Sequence, residues 1–216
     1  MSFLIKFLRV FQTTHQKVFL PLQRVYSRTF ELQRSGRRIF IDCGANDLSV
    51  LKDFIESLDG FEFYAFEPQP ALRDSINKLR TKYPDEKIQF YDKAVWKSDG
   101  TKELKLAKSW GKNFKGSSTI LEDSNFTNNT NDSVLVQTVD FDKWIERNFF
   151  PEDYIIVKMD IEGAEYEVIK NMKTETIKMI DEFLIEFHKR GDEFYQVDSI
   201  KCVLKVAKHS ILEFWR

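Results

Sequence analysis

Carboxylate side chains recur where apolar segments of this 216-residue chain end. Carboxylates accept hydrogen bonds from ligand hydroxyls, and they can take the proton of a hydroxyl that attacks an electrophile. If the apolar segments are parallel strands, these side chains meet at the sheet edge where open α/β sheets bind ligands. The residues placed there are Asp42, Gly44 and Asn46, then Glu67, then Asp92, then Asp160 and Glu162, and finally Glu186 and His188.

Glu67 follows Asp42 by 25 positions, which is the length of one strand–helix–strand unit. An acid at that place can accept two hydrogen bonds from a ribose diol. The glycine fingerprint of a dinucleotide site is absent, because the segment DCGANDLSV holds only Gly44. A nucleoside ligand without phosphates, such as S-adenosylmethionine, therefore fits better. The same pattern also occurs in α/β proteins that bind no nucleoside.

Strand-like and helix-like segments alternate from residue 37 onward, and this alternation positions the carboxylates. The apolar runs RRIFIDCG, FEFYAFEP and KIQFYDKAVW are separated by segments whose apolar residues recur at helical spacing. DYIIVKMDIEG and EFLIEFH are later strands, with a helix between them. Such alternation predicts βαβ units and a parallel sheet. We expect one α/β domain with a mostly parallel, doubly wound sheet.

The middle of the chain is less regular. KELKLA and SVLVQTV are predicted strands, and FDKWIERNF is a predicted short helix. Residues 109–133 are rich in Ser, Asn, Gly and Thr and are predicted to form a long loop. Three Asn-x-Ser/Thr matches in this loop are attributed to its composition and not to glycosylation.

From about residue 38 to residue 188 the chain resembles the FkbM family of S-adenosylmethionine-dependent methyltransferases. FIDCGAND resembles the first cofactor motif of the family, FEP the second and DKAVW the third. VKMDIEGAEYEVI resembles the most distinctive stretch of the family, and IEFH follows it as in relatives. The resemblance implies a Rossmann-like methyltransferase fold and a methyl group transferred to oxygen, often on sugars or other hydroxylated small molecules.

The resemblance makes Glu67 the ribose-binding acid and places Asp92 or Lys93 at the adenine. Asp42 is expected to orient the first loop by accepting backbone N–H bonds, with the amino group of the cofactor as an alternative partner. The predicted cofactor-binding residues are Asp42, Gly44, Asn46, Glu67, Asp92 and Asp160. In the long loop, KGSSTI is similar to a Gly-Ser-Thr stretch of relatives and suggests Ser117 and Ser118 for the acceptor pocket.

Asp160, Glu186 and His188 are the predicted catalytic residues. Asp160 ends a strand predicted to be buried, where an unpaired charge is costly, so we expect it to face the transferred methyl group or the acceptor hydroxyl. The helix dipole alone explains acids such as Glu162 and Glu165 at a helix start. Glu186 and His188 remain open to three interpretations: an acid–base pair, ligands of a divalent cation together with Asp160, or structural groups. No metal site is predicted.

Leu48 departs from the family pattern, which usually has glycine at this place in the first loop. Leucine is expected to add bulk beside the cofactor and to restrict the backbone. The alternative to an enzyme is therefore a methyltransferase-fold binding module that has lost its cofactor. A short NAD oxidoreductase is a third possibility, and the missing glycine fingerprint argues against it.

The formal net charge of −1 is the sum of a basic segment and an acidic segment. Residues 1–38 hold eight Lys or Arg and one acid, and residues 39–216 hold 25 basic and 33 acidic residues. We expect an amphipathic leader at 1–36, which is a helix packed on the domain, an interfacial membrane anchor or an organelle-targeting peptide. The methyltransferase domain is expected at 37–216. The balance of charge argues against a nucleic-acid partner.

Two cysteines exclude a disulfide scaffold and favour a reducing, cytoplasmic compartment. No run of about 18 apolar residues exists, so no membrane-spanning helix is predicted. The expected partner is a small hydroxylated acceptor, with peripheral membrane contact through the leader as a further option.

Overall fold

The computed structural model describes residues 34–84, 87–106, 118–121, 133–188 and 195–214. Strands are β1 Arg38–Cys43, β2 Phe61–Phe66, β3 Ile88–Tyr91, β4 Ala94–Trp96, β5 Gly100–Lys105, β6 Ser133–Asp140, β7 Tyr154–Met159, β8 Glu182–Ile185 and β9 Ile211–Phe214. Helices are α1 Ser49–Ser57, α2 Arg73–Lys82, α3 Phe141–Asn148, α4 Glu165–Asn171, α5 Thr174–Ile177 and α6 Tyr195–Val206. A single 3-10 turn, Pro70–Leu72, precedes α2.

Six strands form one sheet in the order β3-β2-β1-β7-β8-β9, and every pairing in it is parallel. The strand order reverses between β1 and β7, because the chain runs outward from β1 to β3 and then returns to the other side of β1. Such a switch point leaves a crevice outside the carboxyl ends of the two central strands. The predicted α/β fold with a mostly parallel sheet is therefore confirmed.

The central strands are buried on both faces, which explains their nearly continuous apolar sequences. Along β1, Ile39 and Ile41 pack in one core cluster, and Phe40 packs in the cluster on the opposite face. This alternation follows from the two-residue period of a strand. Helices cover both faces, as a doubly wound sheet requires.

A second sheet of three strands, in the order β4-β6-β5, stands beside the carboxyl ends of the large sheet. The predicted single strand KIQFYDKAVW is in fact two strands, because the chain leaves the large sheet after Tyr91 and enters the small one at Ala94. Asp140 caps α3 by accepting a hydrogen bond from the Lys143 N–H group at 3.2 Å.

Most of the predicted leader, residues 1–33, lies outside the described residues, so its three proposed roles stay predictions. No helix within the described ranges combines the length and hydrophobicity needed to cross a membrane.

Candidate active site

A pocket of about 570 Å³, including its open mouth, lies at the switch point of the large sheet. Its floor comes from the segments that follow β1, β2 and β7, and one wall comes from the small sheet. Among the described residues it is lined by Gly44, Asn46, Phe66, Glu67, Pro68, Gln69, Lys93, Ala94, Val95, Leu104, Ser118, Ile120, Asp160, Ile161, Glu162 and Ala164.

The loop after β1 approaches the end of β7 too closely for a side chain at Gly44. A Cβ atom there would lie 1.9 Å from the carbonyl oxygen of Asp160, and the φ angle of Gly44 is 86°. Asn46 is also left-handed, with φ 44°, and its N–H group donates to Glu67 Oε2 at 2.9 Å. The predicted loop residues Gly44 and Asn46 thus both line the pocket.

Glu67 is buried, with only 4% of its surface exposed, yet its carboxylate is held in a fixed orientation. Oε2 accepts from Asn46 and Oε1 accepts from the Gln69 N–H group, each at 2.9 Å. Burial raises the Glu67 pKa above its ordinary value, although the two backbone hydrogen bonds act in the opposite direction. A carboxylate offers about four acceptor sites, and the two backbone N–H groups and the Gln69 side chain use at most three of them, so acceptor capacity remains for a ligand hydroxyl.

Leu48 adopts the left-handed conformation, with φ 64°, that the family glycine would take easily. Its side chain is 4% exposed and packs in the core cluster with Phe40 and Leu51. It is not part of the pocket lining. The leucine therefore adds bulk to the core and not to the pocket lining.

Asp42 does not line the pocket. It is completely buried, and its Oδ1 accepts from Lys158 Nζ at 3.0 Å in place of the expected backbone N–H groups. Its Oδ2 is buried with no hydrogen-bond partner among the described residues. Burial lowers the pKa of Lys158, but Asp42 and Asp160 outweigh this effect and raise it, so the lysine is a cation.

Four carboxylates surround the imidazole of His188 at the ends of β7 and β8. Nδ1 lies 3.0 Å from Glu165 Oε1, and Nε2 lies 3.2 Å from Glu162 Oε2. Nε2 is also 3.7 Å from Asp160 Oδ1 and 3.8 Å from Glu186 Oε1. The three predicted catalytic residues, Asp160, Glu186 and His188, are therefore brought together.

Burial lowers the pKa of His188, but the hydrogen bond to Glu165 and the charges of Glu165, Glu162 and Asp160 raise it to about 9. The imidazole is thus protonated at neutral pH, and both ring nitrogens carry protons. Burial and the nearby Asp160 raise the pKa of Glu186, although His188 lowers it. The cluster holds more negative than positive charge even with a protonated histidine.

Ligand atoms of Asp160, Glu186 and His188 lie within 4.8 Å of one another, a spacing that a metal ion could bridge. A cation bound there would first have to displace the proton on His188 Nε2, because metal ligands must be deprotonated. The imidazolium already supplies a positive charge at this place. His188 and its four carboxylate neighbours, Asp160, Glu162, Glu165 and Glu186, form a charge cluster.

Asp92 follows β3 but lies outside the pocket lining. Its side chain is 57% exposed and accepts from Arg73 Nη2 at 2.9 Å. Lys93, the other candidate for the adenine region, does line the pocket. Ser118 lines it as well, whereas Ser117 lies outside the described residues.

Lys158 was not among the predicted site residues, and both Glu162 and Glu165 were attributed to the helix dipole. Lys158 had a visible signal, because it is the one charged residue inside the apolar segment YIIVKM of β7. The position of the Glu162 side chain had no such signal in the sequence, because it depends on a left-handed backbone, with φ 56°, that helix rules do not predict. Glu165 is fully buried and bonds both His188 and the Ile161 N–H group, at 2.9 Å.

Comparison with known proteins identifies the family. Searches of curated proteins and of solved structures returned no significant match. A family model described as the methyltransferase FkbM domain matches residues 42–210, a range that runs from the end of β1 past α6 and includes the pocket-lining residues named above. The match spans well over half of the chain, and it confirms the resemblance seen in the sequence. The chain belongs to the FkbM family of methyltransferases.

Proposed function

We propose that this methyltransferase uses S-adenosylmethionine and transfers the methyl group to a hydroxyl oxygen of a sugar or another small molecule. One observation carries the proposal: a single pocket at the switch point is lined by the buried Glu67 and by Asp160 of the charge cluster. The first supplies acceptors for a nucleoside, and the second supplies a base for a hydroxyl.

The side chains that line the pocket fit S-adenosylmethionine, the cofactor that methyltransferases of this kind generally use. Glu67 keeps acceptor capacity beside its bonds to Asn46 and Gln69, which suits a ribose hydroxyl. Because Gly44 has no Cβ, the first loop packs directly on the end of β7, which brings this loop and Asp160 to the same pocket. Lys93 and the apolar side chains of Val95 and Ile120 would then surround the adenine.

The positive charge of this cofactor is complementary to the charge cluster. Asp160 and Glu162 both line the pocket, and both are carboxylates close to His188. A sulfonium group is attracted to such a site, whereas an anionic nucleotide is repelled. This electrostatic character supports S-adenosylmethionine over the dinucleotide of an oxidoreductase.

When bound, S-adenosylmethionine would supply an electrophilic methyl group, and its sulfur would leave as a neutral thioether as the methyl carbon–sulfur bond breaks. Asp160 would accept the proton of the acceptor hydroxyl while that oxygen bonds to the methyl carbon. His188, as an imidazolium, holds the surrounding carboxylates in place and does not serve as the base at neutral pH. Much of the remaining rate enhancement comes from holding the hydroxyl in line with the methyl group.

The polar groups around the acceptor side favour a hydroxylated substrate. Glu162 and Asp160 are hydrogen-bond acceptors, and Ser118 can both donate and accept. Sugars present several hydroxyl donors on one small ring, which suits a pocket with acceptors on two sides. The acceptor is therefore proposed to be a neutral hydroxylated small molecule.

Calorimetric titration with S-adenosylmethionine tests the cofactor, and Glu67→Gln is the informative variant. The amide keeps the shape but offers one acceptor oxygen instead of two, so we expect affinity to fall at least tenfold. Glu62→Gln, on the same strand and outside the pocket lining, is the matched control and should bind like the wild-type protein.

Incubation with labelled S-adenosylmethionine and a cell extract, followed by identification of the labelled product, tests the acceptor. A methyl ether on a small molecule is the expected product, and a methylated nitrogen or carbon would contradict oxygen transfer. A wild-type protein that gives no heat with the cofactor would instead support a binding module that keeps only the fold.

A further inference from the structure

Lys158 is a charged side chain near the carboxyl end of a buried central strand. It is 2% exposed, and the other residues of β7 are hydrophobic. Removing an ammonium group from water is costly unless the group is paired and hydrogen-bonded. The contacts of Lys158 therefore reveal what the fold gains from placing a lysine there.

The ammonium group faces three oxygens, donating a hydrogen bond to two of them and forming a longer ion pair with the third. Nζ lies 3.0 Å from Asp42 Oδ1, 3.2 Å from the carbonyl oxygen of Gly44 and 3.6 Å from Asp160 Oδ2. Asp42 and Lys158 are register partners on the parallel strands β1 and β7. The lysine thus joins the end of one central strand to the end of the other.

Two of these three partners line the pocket, but Lys158 itself does not. Gly44 forms the left-handed turn of the first loop, and Asp160 is the proposed base. With Oδ2 directed at Lys158, the other oxygen of Asp160 faces His188 Nε2 at 3.7 Å. The Asp160 carboxylate therefore lies between two cations, the Lys158 ammonium near Oδ2 and the His188 imidazolium near Oδ1.

A buried ion pair with a purely structural role would need only Asp42 and Lys158. A partly exposed pair lies just before the amino ends of the same two strands, where Arg37 and Asp153 meet at 2.7 Å away from the pocket. Lys158 differs from Arg37 because it also reaches the pocket loop and the proposed base. Its contacts match those of a group that fixes the relative position of the two.

We propose that Lys158 is a positioning residue, which holds the Asp160 carboxylate and the Gly44 turn in fixed relation and so aligns the acid with the bound cofactor. This inference rests on the proposed function and adds to it. It assigns to a residue outside the pocket part of the control over methyl transfer.

The test uses the double variant Asp42→Asn/Lys158→Met, which removes both charges and leaves no buried charge unpaired. Replacing a buried pair by neutral residues of similar size is often neutral for stability, so we expect this variant to fold. The matched control is Arg37→Met/Asp153→Asn on the same strands. Thermal unfolding, calorimetric affinity for S-adenosylmethionine and labelled methyl transfer into a cell extract at saturating cofactor are measured for all three proteins.

The expected result is a split between binding and transfer. Transfer at saturating cofactor falls at least thirtyfold in the Asp42→Asn/Lys158→Met variant, and the fall exceeds any loss of affinity. The control pair transfers like the wild-type protein in its folded fraction. A folded double variant with unimpaired transfer would overturn the inference alone, whereas a wild-type protein that neither binds nor transfers would overturn it together with the proposed function.

Lys158→Arg keeps the test decisive if the double variant does not fold. It preserves a cation beside Asp42, but a planar guanidinium cannot direct its protons at the same three oxygens as a tetrahedral ammonium. We expect at least a tenfold loss of transfer at saturating cofactor in this variant. Wild-type transfer by Lys158→Arg would show that any cation paired with Asp42 suffices, and the positioning role would be wrong.

Discussion

The two ends of the large sheet carry acidic side chains in opposite circumstances. At the amino end, Asp153 accepts from the Arg37 guanidinium at 2.7 Å and from the N–H groups of Arg37 and Phe150 at 2.9 and 3.0 Å. Asp181 accepts from Arg34 at 2.9 Å and from the Ile155 N–H group at 3.0 Å. Both of these acids have an arginine and at least one backbone donor.

At the carboxyl end, four carboxylates share one imidazolium and the ammonium of Lys158. The residues with a left-handed backbone other than glycine, among those described, are also found only at this end: Asn46, Leu48 and Glu162. Strained backbone and crowded like charges cost stability, and they concentrate where ligands bind. The comparison separates an end that holds the strands together from an end arranged for chemistry.

The pKa shifts of Asp153 and Glu186 have opposite directions. Although burial raises the pKa of Asp153, the hydrogen bonds and charge of Arg37 and the Phe150 N–H group bring it below its ordinary value. Burial and Asp160 raise the pKa of Glu186. The direction of the shift alone does not separate the two ends, because burial also raises the pKa of Asp181 at the amino end.

The largest expected effect is on turnover when Asp160 becomes asparagine. Loss of a general base typically lowers the rate by about 100-fold to 10,000-fold, and we expect labelled methyl transfer by Asp160→Asn to fall in that range. Calorimetric affinity for S-adenosylmethionine should stay within about fivefold, since charge attraction in a wet pocket is a small part of binding. Unchanged transfer would remove Asp160 from the mechanism and weaken the contrast between the two ends.

Removal of Asp153 should have the opposite outcome, a loss of stability without a loss of site function. Asp153 is 4% exposed at its side chain, and its absence leaves the Arg37 guanidinium and two backbone donors without their acceptor. We expect Asp153→Ala to lower the free energy of unfolding by about 3 kcal/mol, measured by urea titration. Folded Asp153→Ala should bind the cofactor like the wild-type protein, and weakened binding would contradict the division of roles.

Protonation of His188 links stability to pH at the carboxyl end. Its pKa of about 9 when folded lies above the ordinary value of 6.5, so the folded state binds the proton more tightly. The resulting stabilisation is fully present below pH 6.5 and is lost as pH rises through 9. We expect a loss of about 2 kcal/mol between these limits in urea unfolding.

His188→Gln isolates this contribution, because every other titrating group stays in place. The variant should show a markedly smaller loss of stability over the same pH interval than the wild-type protein. Equal pH dependence in the two proteins would show that the carboxylates do not hold a proton on His188.

Much of this arrangement could be predicted from sequence, because strand ends in a parallel sheet converge by geometry. Glu67 and Asp160 were placed at the pocket by their positions after apolar strands, and both line it. Asp92 followed the same rule but turns outward to Arg73, since the chain crosses to the small sheet directly after it. A crossing between sheets leaves no signal in hydrophobic periodicity.

The charge cluster was harder to predict, because it depends on side chains that meet across distant segments. Glu165 and His188 are 23 positions apart, and their contact sets the protonation of the cluster. Leu48 shows the converse: its departure from the family glycine was visible, but only packing reveals that the side chain enters the core.

Leu48→Gly tests whether strain at the carboxyl end is supported by the core. Glycine relieves the left-handed backbone, but it removes a buried leucine, and the cavity outweighs the relief. We expect a net loss of about 1–2 kcal/mol in the free energy of unfolding by urea titration. Cofactor affinity should be unchanged within about twofold, and a large gain in affinity would show that leucine does obstruct the pocket after all.

The smallest expected effect, and the only gain, comes from the left-handed backbone of Glu162. Its φ of 56° costs about 1 kcal/mol for a residue with a Cβ, so Glu162→Gly should raise the free energy of unfolding by up to that amount. Glu162→Gln is the matched variant, because it removes the same charge and keeps the strain. The difference between the two variants in urea unfolding therefore measures the backbone alone.

Both should transfer methyl groups more slowly than the wild-type protein, since both remove a carboxylate that lies 3.2 Å from His188 Nε2. A Glu162→Gly variant that is more stable but slower would show that the strained backbone at this end of the sheet serves methyl transfer. A Glu162→Gly variant that is less stable would show that Glu162 stabilises the fold.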